Sequence, residues 1–116
     1  MTFAWLTAFV WTLAFELPIY TLLLSRHVRE RWDVVALALA VNAATHPTLW
    51  LALAHLPRGL RTLVIAELLV VAAEGTVIAL VVRRPRAAFV AAALANAASF
   101  AGGALLWSLA VMAYRG

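Results

Sequence analysis

Four long apolar runs constrain this chain more than any other feature: about Phe3–Ser25, Val34–His55, Thr62–Val82 and Ala87–Tyr114. Each holds at least 21 residues. As a helix rising 1.5 Å per residue, each reaches the ~30 Å hydrocarbon thickness of a bilayer. None alternates polar with apolar residues, so strands of a membrane barrel do not fit. The pattern predicts an all-α, polytopic membrane protein: one four-helix transmembrane domain over residues 1–116. Composition points the same way, with 66% hydrophobic and 12% charged residues, against about 45–50% and about 25% in ordinary globular chains. A domain this small is mostly surface and has no core large enough to hide that excess from water. The first run has no basic segment before it, and Glu16 and Pro18 interrupt it. It therefore reads as a retained helix rather than a cleavable signal.

The net charge is +4, and all nine basic residues are Arg. They lie in short clusters between the apolar runs, as membrane-flanking anchors do, so the expected partner is the lipid bilayer and not nucleic acid. The chain contains no Cys, which excludes disulfides, thiolate metal sites and cysteine nucleophiles. A Lys-free, Ala-rich composition suggests a GC-rich genome, and with it a bacterial or archaeal inner membrane. Arg26, Arg29 and Arg31 occupy the first loop and Arg83, Arg84 and Arg86 the third; the second loop has Arg58 and Arg61, and the C-terminus has Arg115. The positive-inside rule then places both termini on the non-cytoplasmic side. Trp5, Trp50, Trp107 and Tyr114 would form the outer aromatic belt, and Trp32 the inner one.

Ionisable residues within the runs are the candidates for function. Glu16, Glu67, Glu74 and His46 would together cost on the order of 10 kcal/mol if all faced lipid as charges. They are expected to face inward, pair, or be neutral. Helical spacing supports an inward face on each helix: Thr12, Glu16 and Tyr20 on the first; Asn42, Thr45 and His46 on the second; Glu67 and Glu74 on the third; Asn96 and Ser99 on the fourth. Glu16, His46, Glu74 and Ser99 share mid-span depth, whereas Glu67 sits nearer the outer boundary. His27 and His55 fall at the boundaries, where water reaches them. Pro18 and Pro47 each remove a helix N–H, freeing the carbonyls of Ala14 and Ala43 near Glu16 and His46. That arrangement serves either a polar site or a packing kink.

The order Glu, Arg, Asn-Ala-Ala-Thr/Ser occurs twice, as Glu16, Arg26, Asn42–Thr45 and as Glu74, Arg84, Asn96–Ser99. This suggests a parallel two-helix internal repeat, an arrangement that transporters use with sites at the midplane. In the fourth run Ala91, Ala95, Ser99 and Gly103 form an i+4 series of small residues, joined by Ala98–Gly102, as close helix packing requires.

The leading expectation is a small transport protein or channel subunit, a homo-oligomer with its pathway between protomers. Protons or cations would bind at Glu16, Glu74, His46 and Glu67, supported by Asn42, Thr45, Asn96, Ser99 and Tyr20. One alternative is a membrane-embedded enzyme acting on a lipid, with Glu74 or Glu16 as base and a divalent cation held by His46, Glu74 and Glu16. Another is an accessory subunit whose polar stripe ties helices together. The Glu-x-x-His spacing of di-iron bundles is absent, as are the motifs of common hydrolases and phosphate loops.

Overall fold

A computed structural model describes residues 3–116. Helix α1 spans Phe3–Leu24 and runs into a 3-10 turn at Ser25–His27. Helices α2, α3 and α4 span Arg31–His55, Leu60–Val82 and Pro85–Arg115. All four are long and apolar enough to cross a membrane.

Three helices begin before their apolar runs do, because local chemistry extends them. At the start of α2, the Glu30 backbone N–H donates to Asp33 Oδ2 at 3.3 Å, so an otherwise unpaired donor of the first turn is satisfied. Helix α3 starts two residues early, at Leu60, and its Leu63 N–H bonds back to the Gly59 carbonyl at 3.1 Å. Pro85 opens α4 at a position where a missing N–H costs nothing. Helix α3 stops at Arg83, which adopts left-handed φ 57° and returns its N–H to the Ala79 carbonyl at 2.9 Å. Helix α1 ends one residue short of its run.

Short connections make successive helices antiparallel. The helices form a ring in which α4 packs most extensively, against both α3 and α1, and α2 is held least tightly. One end of the bundle carries the first and third loops; the opposite, terminal end carries both chain termini and the α2–α3 loop. The packed core is confined to the loop end. Leu24, Val34, Ala38, Ile78, Val82 and Ala88 fill it, with Ala91, Ala92 and Ala95 letting α4 approach closely. Glu16, Asn42, Glu74 and Asn96 cap this core. Beyond them toward the terminal end, no described side chain is fully buried. Leu22, Leu80 and many other large apolar side chains cover the outside, far more apolar surface than a soluble monomer exposes.

The small-residue series of α4 needs a correction. Ala91 and Ala95 are buried and Ser99 is half-buried, but Gly103 faces open space. The close approach at that level is made by Gly102, where an added Cβ would overlap the Phe15 ring. Gly75 of α3 plays the same part beneath Phe89. The two internal prolines sit in helices that continue through them. Ala14 and Ala43 are both exposed residues.

Gly75→Leu is expected to cost about 1–3 kcal/mol through overpacking. Phe89→Ala should restore much of that loss, while Gly103→Leu should be near neutral. Thermal unfolding in detergent, run on all three variants and the double mutant, checks this.

Candidate functional site

Glu74 is fully buried on α3, and the three other helices all donate to it. Tyr20 Oη of α1 donates to Oε2 at 2.6 Å, Asn96 Nδ2 of α4 to Oε2 at 2.9 Å, and Thr45 Oγ1 of α2 to Oε1 at 2.7 Å. The polar stripes expected on separate helices thus meet at one carboxyl group. The second hydrogen of the Asn96 amide goes to the Ala92 carbonyl at 2.9 Å. Asn42 makes the matching bond in α2, to the Ala38 carbonyl at 3.1 Å.

Glu16 is 1% exposed yet far less well satisfied. Its Oε1 accepts from Ser99 Oγ at 2.8 Å; the Asn42 side chain lies near the carboxyl group, but Oε2 is buried without a well-formed hydrogen bond. His46 is half-buried. Its Nε2 lies 2.8 Å from Thr12 Oγ1, its ring meets Phe9 edge-on at 5.4 Å, and its Nδ1 has no partner.

Glu16, Glu74, Asn42, Asn96, Ser99 and His46 all line one cavity of about 390 Å³ inside the bundle, at the terminal side of the packed core. Glu67 stands farther along its wall, half-buried. The cavity lies within the single chain, where the helices part above the alanine-rich core. Trp50, Phe100 and Trp107 also line it. Trp50 and Trp107 were expected in the aromatic belt. Their spacing carried the signal, since Trp50 is eight residues after Asn42 and Trp107 eight after Ser99, which places each on the polar face. A second, larger groove of about 750 Å³ runs between α2 and α3 with apolar walls, and shares Thr45 and Glu74 with the cavity.

A metal centre at His46, Glu74 and Glu16 does not fit. No group of three or more His, Asp or Glu among the described residues comes together to hold an ion, and both Glu74 oxygens are already engaged.

Tyr20→Phe should destabilise the bundle by about 1–3 kcal/mol, the loss expected when a buried acceptor loses a donor. Thr76→Ala removes an exposed hydroxyl that bonds only its own helix at Ala72, and should stay within about 0.5 kcal/mol. Denaturant titration of the two variants separates these outcomes.

No protein-family profile matches the chain, and no curated protein or solved structure matches it either.

Proposed function

We propose that this is a small integral membrane transport protein that binds a proton or cation in its intra-bundle cavity, with Glu16 as the binding carboxyl. The buried, partnerless Oε2 of Glu16 carries the reading. An unsatisfied buried acceptor costs free energy that helix glue alone has no reason to retain. Glu74, with three donors, serves as the tie between helices. The expected division of work between the two carboxyl groups is therefore unequal.

Proton handling has a local device. The Ser99 hydroxyl has one hydrogen and two acceptors in reach, Glu16 Oε1 at 2.8 Å and its own-helix Asn96 carbonyl at 3.0 Å. It donates to an ionised Glu16. It can turn to the Asn96 carbonyl and accept from a protonated one. Both charge states are accommodated without moving a heavy atom.

We also infer that the halves are a parallel repeat. Thr45 and Ser99, equivalent in the two Asn-Ala-Ala-Thr/Ser segments, donate crosswise: Thr45 to Glu74 of the second half, Ser99 to Glu16 of the first. The repeat breaks four residues after each acid, where the first half has Tyr20 and the second Ile78. Tyr20 completes Glu74. Ile78 has no hydroxyl, and no such donor completes Glu16. The cavity opens toward the terminal end, and the dense loop end is the barrier that a transport cycle must open. Helix α2, the least tightly held, is the element suited to move.

An enzyme acting on a lipid draws support from the apolar groove reaching Thr45 and Glu74, which suits an acyl chain. Its base would be Glu74, whose oxygens are already hydrogen-bonded.

In proteoliposomes, Glu16→Gln should abolish proton or cation flux while leaving the melting temperature unchanged. Glu74→Gln should keep most of the flux, because its amide oxygen can serve Tyr20 and Asn96 while its NH2 donates to Thr45. The reading fails if wild-type protein carries no flux, or if Glu16→Gln carries as much. Both termini should face away from the cytoplasm. A cysteine introduced at Gly116 in this Cys-free chain should react with an impermeant maleimide added to intact cells or spheroplasts, and labelling only after lysis reverses the orientation.

A further inference from the structure

The cavity that holds Glu16 has walls whose chemistry narrows its ligand. Of its ionisable lining residues three are acids, Glu16, Glu67 and Glu74, and none is Arg. An anionic ligand finds no counter-charge there. Among its described lining residues, two buried polar atoms lack a partner, Glu16 Oε2 and His46 Nδ1. Glu16 Oε2, as a carboxylate oxygen, asks for a donor, and His46 Nδ1 does so in the tautomer that gives its Nε2–H to Thr12. Inorganic cations are poorly served by such a site. Calcium takes about 6–8 oxygen ligands, and magnesium keeps a near-ideal octahedron. The remaining wall cannot replace lost water, because it consists largely of Leu53, Phe100, Trp50 and Trp107. Those same side chains suit an organic body, and aromatic faces attract a bound ammonium. The volume of about 390 Å³ lies within the range of small-molecule sites, roughly 300–1,000 Å³.

We propose that the cavity binds an organic monocation, a primary ammonium on an aromatic or aliphatic body, with its N–H groups directed to Glu16 Oε2 and its body against Phe100, Trp50 and Trp107. This names the substrate class for the transport reading and rests on that reading's choice of cavity. The head group sits against the packed core, and the body points toward the terminal end, where Trp107 stands at the mouth, 74% exposed.

The test is calorimetric titration of the full chain in nanodiscs, with empty nanodiscs subtracted. The probes are 2-phenylethylammonium, its neutral analogue 2-phenylethanol, and sodium chloride as competitor. The ammonium should bind saturably and the alcohol should not. Glu16→Gln should weaken the ammonium by about tenfold or more, as loss of a buried charge partner does. Trp107→Ala, outside the hydrogen-bonded cluster, should weaken it severalfold and decides the matter if Glu16→Gln does not fold. Equal binding of the alcohol, unchanged ammonium affinity in the folded variants, or displacement of the ammonium by millimolar sodium would overturn the proposal. Proteoliposome flux separates the two inferences. Ammonium binding without flux leaves the site and removes transport; proton flux without ammonium binding leaves transport and removes this ligand class.

Discussion

One carboxyl group fixes this bundle. In lipid, helices gain nothing from burying apolar surface against one another, so packing and hydrogen bonds must set their arrangement. Glu74 receives Tyr20, Thr45 and Asn96, one donor from each of the other three helices. Three short bonds to one group set the depth and rotation of all four helices together. A slide of α1 by one turn, about 5.4 Å, would break the Tyr20 bond and leave a buried acceptor short of a donor. Such a network is worth more for specifying one arrangement than for stabilising it, since each bond replaces one the separated helices could make elsewhere.

The packing follows a size gradient along α4. Its loop half presents Ala88, Ala91, Ala92 and Ala95, all fully buried, and its terminal half presents Phe100 and Trp107 at the cavity. Small residues draw α1 and α3 in at one end; at the other, Phe100 and Trp107 line the cavity. The polar residues sit where the two regimes meet. A core of alanines thus positions the site without contributing a polar atom to it.

Much of this architecture is legible in the sequence. Length and apolarity of the four runs identified the helices, and 3.6-residue spacing picked out Glu16, Tyr20, Asn42, Thr45, Glu74, Asn96 and Ser99 as inward-facing. What spacing could not supply was which donor reaches which acceptor. Tyr20 and Glu74 are 54 residues apart, and their contact depends on ring order and helix rotation. For the same reason Glu16 and Glu74 looked equivalent in sequence, although one has three donors and the other one. The helix starts were read late because Glu30, Asp33 and Pro85 are polar or helix-breaking by composition but stabilising at a first turn. Trp50 and Trp107 were assigned to the belt because interfacial Trp is so common; their eight-residue spacing from Asn42 and Ser99 carried equal information.

The difference between the two carboxyl groups lies in two donors: Tyr20 and Asn96 both reach Glu74, whereas Ile78 has no hydroxyl and the Asn42 amide bonds Ala38. Each acid has a hydroxyl from the opposite half and an Asn one helix later in its own half. Each hydroxyl has a second acceptor on its own helix, Val41 for Thr45 and Asn96 for Ser99, so each acid could in principle exchange a proton without rearrangement. At Glu74 the additional Tyr20 and Asn96 donors both address Oε2, and every favourable position around that oxygen is taken. A ligand donor arriving there would have to displace one of them. At Glu16, which lines the cavity, Oε2 has no donor to displace. On the proposed reading, a ligand donor at Glu16 would gain a hydrogen bond outright, whereas at Glu74 it would only exchange one. On the proposed reading of two like halves, Tyr20 and Asn96 together make Glu74 the structural tie, and Glu16 is the carboxyl left with a free acceptor position.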